Sequence, residues 1–195
     1  MRTDSTPVLN MLNTRYFIVP DNNKQPMAFP NTNALGNAWF VRSYKIADNA
    51  DAEISELKNL DPGNVTIVNK EFTDLLKSYV PGKDSSDYIK LISYAPNELT
   101  YQFSTRKNGF AVFSEIYYPK GWNACVDGQL TPHFRSNYVL RAMVLPAGEH
   151  KLVFKFEPKV YYLGEKISFT SSILLVVLVI FFIGLEFRKV SKVKA

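Results

Sequence analysis

A run of 19 residues without a charged side chain, from Ile167 to Leu185, constrains this chain more than any other feature. Its central part, Ile173 to Ile183, is apolar at every position. As an α-helix the run would measure about 29 Å at about 1.5 Å per residue, close to the roughly 30 Å of a bilayer's hydrocarbon core. Charged residues bound it, since Lys166 precedes it and Glu186 follows it. The sequence therefore predicts one transmembrane helix over residues 167–187.

Most of the net positive charge of the chain lies after this helix. The net charge is +5, and four basic side chains lie in the last eight residues: Arg188, Lys189, Lys192 and Lys194. Positive charge beside a span favours the cytoplasmic side of the membrane. We therefore predict a basic cytoplasmic tail over residues 188–195 and a domain outside the cytoplasm. Since a nucleic-acid-binding protein would cluster its basic residues on a folded face, we predict no nucleic-acid partner.

The start of the chain lacks an export signal. Met1 to Pro7 contains no apolar core of the kind that a signal peptide needs. An exported domain of this size would then require an earlier transmembrane segment. Two interpretations follow from the residues alone. The chain is the C-terminal piece of a longer membrane protein, or it is a tail-anchored protein with a cytosolic domain.

Residues 1–80 mix strand-like and helix-like segments. Three segments rich in apolar, aromatic and β-branched residues are typical of strands: Leu12–Val19, Ala38–Ile46 and Val65–Val68. Ala50 to Leu60 favours a short helix, with Asp48 or Asn49 as its cap. A possible helical turn follows through residues 72–76. We therefore predict an α+β part over residues 1–80.

Residues 81–160 carry an almost purely β pattern. Leu99, Tyr101 and Phe103 alternate with polar residues, as in a strand with one wet face. Asn108-Gly109 predicts a hairpin, and Asp127-Gly128 predicts another turn. Short strands at this spacing indicate an antiparallel β-sandwich, followed by a linker over residues 161–166. The predicted fold class is mainly β: an antiparallel sandwich, one or two short helices in the N-terminal half, and a single C-terminal transmembrane helix.

The sequence contains no recognisable catalytic, cofactor or metal motif. A nucleophile elbow, a phosphate-binding loop and paired metal-ligand motifs do not occur. His133 and His150 are the only histidines, and neither has a second His or Cys at ligand spacing. Cys125 is the only cysteine. We therefore predict no catalytic residue, no cofactor and no metal on this chain.

The candidate ligand contacts are Tyr117, Tyr118, Trp122 and Asp127. Aromatic faces stack on sugar rings, and a carboxylate accepts hydrogen bonds from sugar hydroxyls, so this cluster suggests a glycan platform. The alternative is packing, because Trp122 alternates in phase with the apolar residues of its strand. We favour packing and keep glycan contact as the second interpretation.

Two arginines offer a second candidate contact. Arg135 and Arg141 each carry the planar guanidinium that binds phosphate or carboxylate through two hydrogen bonds. Exposed strand arginines seldom have so specific a role. We therefore favour a solvated position for both.

Four stretches of the chain resemble the C-terminal end of the bacterial YfhO family: Leu9–Pro20, Asn33–Val41, Tyr118–Gly128 and Asn137–Pro158. The resemblance implies a large multi-pass protein of the bacterial cytoplasmic membrane, similar to glycosyltransferases that move a sugar from a polyprenyl-phosphate carrier to a cell-envelope polymer. It implies that this chain is a fragment: an extracytoplasmic β-rich domain and the last transmembrane helix. The implied catalytic residues belong to an N-terminal helical part outside this sequence.

The function that follows is that of a non-catalytic, membrane-tethered accessory domain of such a protein. Its expected partners are the lipid bilayer, the N-terminal transmembrane bundle, and a cell-envelope glycan or polyprenyl-phosphate sugar. A carbohydrate-binding β-sandwich module and a tail-anchored adaptor domain are the alternatives.

Overall fold

The computed structural model describes residues 6–193, with side chains described up to residue 185. Residues 1–5, 194 and 195 lie outside the described residues, as do the side chains of the predicted basic tail. The chain divides into two compact units, one ending at Phe156 and one beginning at Glu157. With 41% strand and 26% helix, the prediction of a mainly β protein with a C-terminal apolar helix is confirmed.

Three α-helices and a 3-10 helix occur in the described residues: α1 (Pro7–Met11), α2 (Ala50–Leu57), the 3-10 helix (Lys70–Leu76) and α3 (Lys159–Val193). The strands in chain order are β1 (Tyr16–Pro20), β2 (Pro26–Pro30), β3 (Ala38–Val41), β4 (Ser43–Ala47), β5 (Val65–Asn69), β6 (Tyr88–Ala95), β7 (Glu98–Thr105), β8 (Gly109–Ile116), β9 (Trp122–Val126), β10 (Gln129–Leu130), β11 (Phe134–Ser136), β12 (Leu140–Leu145) and β13 (Gly148–Phe156).

A six-stranded sheet with the order β3-β8-β12-β11-β5-β4 forms the middle of the first unit. Its two edge strands, β3 and β4, are separated in the chain by Arg42 alone. Consecutive Cα atoms lie about 3.8 Å apart, so the sheet must curl until its two edges meet at this residue. Strands from both predicted parts of the domain, residues 1–80 and residues 81–160, belong to this sheet.

The central strands of this sheet are buried on both faces. Along β12, Leu140 and Ala142 enter one hydrophobic cluster, whereas Met143 and Leu145 enter another. The first cluster includes residues of α2, the 3-10 helix and the segments beside them, and the second joins the sheet to a five-stranded sheet. A strand covered on both sides has no wet face, so its burial cannot alternate with period two.

One strand pair departs from the antiparallel pattern. β4 and β5 run parallel, and α2 connects them as a βαβ unit. Asn49 begins α2, because its side-chain oxygen accepts a hydrogen bond from the Ala52 N–H at 2.9 Å. A parallel pair needs a crossover connection, and the short helix predicted from the sequence supplies it.

The five-stranded sheet has the order β10-β9-β13-β7-β6 and keeps one face in water. The alternation predicted in β7 holds for Leu99, Tyr101 and Phe103, which are buried, and for Gln102, which is exposed. It fails at Thr100, which is buried with 9% exposure. On the wet face, the Gln102 side-chain amide donates to the Glu149 carboxylate at 2.8 Å.

The two predicted turns behave differently. Asp127 and Gly128 both have positive φ, 48° and 84°, and join β9 to β10 as a two-residue hairpin. The hairpin predicted at Asn108-Gly109 is wrong, because β7 and β8 belong to different sheets. A Cβ atom on Gly109 would lie 2.9 Å from the Phe40 ring. This glycine therefore serves close packing at a corner between the sheets.

Before the six-stranded sheet, β1 and β2 form a separate antiparallel ribbon. The strand predicted from Leu12 begins only at Tyr16, since α1 ends at Met11 and Asn13 adopts a positive φ of 55°. A two-stranded ribbon alone is marginally stable in water, so this part depends on its anchorage to the core through Met11, which is 1% exposed.

The second unit consists of α3 and the two residues before it. Within the described part, α3 offers one span, Lys159–Leu185, that is long and apolar enough to cross a membrane. Three of its hydroxyl groups are satisfied within the helix, because Thr170, Ser171 and Ser172 each donate to the carbonyl four residues earlier. Residues 161–166, predicted as a linker, lie within this helix.

Candidate functional site

The four predicted contact residues lie at two places on the first unit. Tyr117 and Trp122 line one cleft, where β8 ends and β9 begins. Tyr118 lies beside this cleft, is 47% exposed, and has its ring 6.4 Å from that of Phe156. Asp127 follows the opposite end of β9 and does not line the cleft. The structure thus brings the aromatic residues into one neighbourhood and separates the carboxylate from them.

The Tyr117 cleft has a volume of about 370 Å³. Aromatic rings and apolar side chains make up much of its lining: Tyr117, Pro119, Trp122, Leu130, Pro132 and His133. The Tyr117 ring meets the His133 ring edge-on at 5.5 Å and the Phe72 ring at 6.0 Å. Burial raises the pKa of the Tyr117 hydroxyl, so it stays a neutral donor and acceptor. Rings with polar edges suit a ligand that has both apolar faces and hydroxyl groups.

His133 is a neutral polar group in the wall of this cleft. Its ring stacks on Phe154 with 5.8 Å between centroids and 25° between planes. Burial, with a smaller effect of the Arg141 charge, lowers the pKa of His133 to about 4. Its Nε2 atom is buried and has no hydrogen-bond partner among the described residues. The sequence could not indicate this position, because a lone histidine beside a proline is typical of a surface turn.

Arg141 lies behind Trp122 inside the sandwich, and the expectation of a solvated arginine is wrong for this residue. It is 1% exposed, and its guanidinium carbon lies 4.5 Å from the ring centroids of both Trp122 and Phe154. One nitrogen donates to the Ile116 carbonyl at 3.3 Å, whereas Nε and Nη1 are buried without a partner among the described residues. Burial lowers its pKa to about 10, against the opposing effect of Glu115. β12 is covered on both faces, so Arg141 has no wet side to occupy.

A second cleft, of about 560 Å³, shares Tyr117 with the first. Its charged lining residues are Arg135 and Glu71, and the Arg135 guanidinium lies 3.5 Å from the Glu71 carboxylate. Arg135 also lies 3.4 Å from the carboxylate of Glu53, which is outside the lining. Glu53 is fully buried and also accepts the Tyr138 N–H at 3.0 Å. An acidic residue in the first turn of a helix is favourable by itself, so the sequence position of Glu53 does not indicate its burial.

The turn at Asn137 and Tyr138, which contacts Glu53, has an unusual backbone conformation. Asn137 and Tyr138 both have positive φ, 47° and 71°, a region that is uncommon for an aromatic residue. Asn137 is buried, and its side-chain oxygen accepts from the Thr66 hydroxyl at 2.9 Å and the Ile67 N–H at 2.8 Å. Glu53 and these contacts together hold the turn that places Tyr138 in the second cleft.

Asp127 forms an ion pair with His150 at the other end of β9. The Asp127 carboxylate lies 2.6 Å from His150 Nδ1, and the Ala147 carbonyl lies 3.0 Å from Nε2. Two acceptors favour a proton on each ring nitrogen, so the carbonyl and the carboxylate raise the pKa of His150. The pKa of Asp127 is lowered, first by the Lys151 N–H and then by His150. This pair joins the turn at Asp127 to the turn at Ala147.

No group of three His, Cys, Asp or Glu side chains suited to hold a metal ion comes together within residues 6–185. Cys125 is free and partly exposed on β9. The residues form two adjoining clefts that could bind a ligand. Aromatic rings line both clefts, and a charged network lies at the second.

The fold and the clefts define a two-sheet β domain followed, after two residues, by a helix of membrane-spanning length. The family model described as bacterial membrane protein YfhO matches residues 44–168, from β4 into the first third of α3. The chain therefore belongs to the YfhO family of bacterial membrane proteins. No curated protein and no solved structure matches it.

Proposed function

We propose that this chain is a non-catalytic, membrane-tethered accessory domain of a multi-pass protein that resembles a glycosyltransferase. The longer protein would take a sugar from a polyprenyl-phosphate carrier and attach it to a cell-envelope polymer. Membership of the YfhO family is the observation that carries the proposal. The Tyr117 cleft supports it, because its aromatic lining suits a sugar.

The proposed mechanism is positional. A polymer held in the cleft would remain near a lipid-linked donor, and fixing two reactants together removes much of the entropic cost of their encounter. Tyr117 and Trp122 would be the glycan contacts, with Tyr118 at the side of the cleft. Asp127 would contribute only to a ligand long enough to follow β9, since its carboxylate already accepts from His150 and the Lys151 N–H.

The test of this proposal is a transferase assay on the chain alone and on a longer YfhO-family protein containing it. We expect the longer protein to transfer sugar from a polyprenyl-phosphate donor and the chain alone to be inactive. Turnover by the chain alone would contradict the accessory role. Tyr117→Ala in the longer protein should raise KM for the acceptor more than it lowers kcat, because Tyr117 would bind without taking part in the chemistry.

A free-standing carbohydrate-binding module is the second candidate, and the partial exposure of both Tyr117 and Trp122 favours it. Such a module would bind cell-envelope glycan without the rest of a transferase. Iodide quenching of Trp122 fluorescence tests whether this indole is accessible to a ligand. An indole that is fully shielded in solution cannot stack on a sugar, so that result would exclude the module. Calorimetric titration of the chain with purified envelope polysaccharide would then measure the binding itself.

We further propose the placement of the chain in the bacterial cytoplasmic membrane. Residues 167–187 would cross the bilayer, the β domain would lie outside, and residues 188–195 would lie in the cytoplasm. In support, every described side chain of α3 from Lys159 to Leu185 is exposed, as expected of a helix that packs with lipid or with other helices. Protease added to intact cells should digest the domain; protection would indicate a tail-anchored cytosolic adaptor instead.

A further inference from the structure

The chain between the β domain and the apolar helix is very short. Phe156 ends β13, and only Glu157 and Pro158 precede Lys159, the first residue of α3. Three residue steps reach at most about 11 Å in an extended chain. If α3 crosses a bilayer, Phe156 must therefore lie within about that distance of the start of the helix, whatever the orientation of the two units.

Aromatic and basic side chains surround Phe156 within the first unit. Trp122 is its partner across β9 and β13, with 5.4 Å between the rings, and the Tyr118 ring lies at 6.4 Å. Lys120 is exposed in the loop that joins Tyr118 to Trp122. We call these four residues, Tyr118, Lys120, Trp122 and Phe156, the tether end of the sheet.

The opposite end of the same sheet has a different character. Tyr88 begins β6 there, and its hydroxyl lies 3.5 Å from the Glu149 carboxylate. Asp84 and Asp87 lie in the segment just before this strand, where Asp84 pairs with Arg106. Acidic side chains occur at the tether end as well, where Glu98 pairs with Lys155 at 3.4 Å. The difference between the two ends therefore lies in the aromatic rings around Phe156.

This distribution matches the chemistry of a membrane surface. Tyr and Trp prefer the headgroup region, where the ring meets an apolar layer and the polar edge meets water. A lysine near anionic headgroups contributes about 1 kcal/mol. The helix itself begins with two exposed tyrosines, Tyr161 and Tyr162, in its first turns. The same residue types therefore occur on both sides of the two-residue connection.

We propose that the tether end rests in the phospholipid headgroup region of the bilayer that α3 crosses, with Tyr118 and Trp122 as its interfacial contacts. The bilayer surface is the partner, and no sugar is required. The proposal depends on α3 spanning the membrane and is independent of the transferase role, so either can fail without the other.

The experiment uses the full chain reconstituted in vesicles of phosphatidylcholine and phosphatidylglycerol that contain a phospholipid spin-labelled on its headgroup. The chain has two tryptophans, and Trp39 is an internal reference because it is 7% exposed and donates to the Pro62 carbonyl at 2.7 Å. We expect the label to quench part of the wild-type emission. Trp122→Phe should remove the quenchable part and leave the Trp39 emission. Absence of quenching, or equal quenching in Trp122→Phe, would overturn the proposal.

A matched pair of tyrosine variants tests the contact separately from the tryptophan. Tyr118 and Tyr88 are 47% and 45% exposed, at the tether end and at the opposite end of the sheet. Tyr118→Ser should reduce the quenching of Trp122, because it removes one interfacial anchor. Tyr88→Ser should leave it unchanged. An equal reduction in both variants would show that the domain does not rest on the tether end.

Discussion

Removing the Glu53 carboxylate should destabilise the β domain far more than removing any exposed carboxylate. Glu53 has no exposed surface, accepts the Tyr138 N–H at 3.0 Å, and lies 3.4 Å from the Arg135 guanidinium. In Glu53→Ala the Tyr138 N–H loses its acceptor, and Arg135 loses its buried carboxylate partner. The Tyr138 N–H belongs to a turn whose two positive-φ residues cost about 1–3 kcal/mol each, so its support matters.

The magnitude follows from these contacts. A hydrogen bond to a charged group contributes about 1.5–3 kcal/mol, and breaking a buried ion pair costs about 3–5 kcal/mol. The second value must be reduced here, because the Arg135 side chain is 27% exposed and keeps Glu71 at 3.5 Å. We therefore expect Glu53→Ala to lower the free energy of unfolding by about 3 kcal/mol. Glu53→Gln keeps an acceptor for Tyr138 and should cost about 1–2 kcal/mol.

The assay is thermal unfolding of the full chain in detergent, followed by near-ultraviolet circular dichroism. For a protein of this size, 1 kcal/mol shifts Tm by about 2–4 °C, so Glu53→Ala should lower Tm by about 6–12 °C. Glu71→Ala is the matched control. It removes a carboxylate from the same arginine, but the Glu71 side chain is 58% exposed, so the loss should stay below about 1 kcal/mol. Equal shifts in Glu53→Ala and Glu71→Ala would refute the reasoning.

Three further predictions concern pH and packing. The pKa of His133 is lowered from 6.5 to about 4, so between these values the unfolded chain binds a proton that the folded chain does not. Stability should fall on acidification through this window by up to about 3 kcal/mol, and urea unfolding of His133→Phe at pH 7 and pH 4.5 should lack this component. The pKa of His150 is raised above 6.5, so its contribution is present below pH 6.5 and lost as pH rises through the folded value. Denaturation curves of wild type and His150→Gln should differ below pH 6.5 and converge at higher pH; divergence at high pH would contradict this sign. Gly109→Ala places a Cβ 2.9 Å from the Phe40 ring and should cost about 1–3 kcal/mol in urea unfolding, whereas Gly63→Ala, with 3.5 Å to its nearest neighbour, should stay within about 0.5 kcal/mol.

Local sequence patterns predicted the structure best where one face of an element is exposed to water. The Asp-Gly turn after β9 is confirmed and the alternation in β7 holds in part, because positive φ and burial with period two are properties of a few adjacent residues. The βαβ unit around α2 was predicted as separate elements but not as a parallel pair. Parallel pairing depends on which strand lies alongside, and this information is not local.

The corner at Asn108-Gly109 shows the same limit. The dipeptide is typical of a hairpin, yet neither residue has a positive φ. The Asn108 side chain donates to the Ser78 carbonyl at 3.0 Å and accepts the Ala147 N–H at 3.2 Å. These partners lie 30 and 39 residues away, and only the packing of two sheets brings them together.

The aromatic residues of the candidate site could be predicted from the sequence, but the burial of its charged residues could not. Tyr117 and Trp122 were identified as aromatic residues close together in the sequence, but Glu53 was not identified and Arg141 was expected to be solvated. A charged residue in a strand or a first helical turn is usually solvated, so a pattern that assigns one wet face will place it there. The second hydrophobic cluster removes that face from β12, and it arises from contacts with a different sheet.

Arg141 connects the binding and membrane proposals through one side chain. A pKa lowered from 12.5 to about 10 means that burial disfavours its charge by roughly 3 kcal/mol at 1.36 kcal/mol per unit. Stacking against two aromatic rings offsets this cost by about 2 kcal/mol or more for each desolvated cation–π contact. One of its two rings is Trp122, which lines the Tyr117 cleft and lies beside Phe156 at the tether end. The position of that indole decides whether the cleft can present an aromatic face and whether the tether end can meet a headgroup layer, and the buried guanidinium lies against it at 4.5 Å.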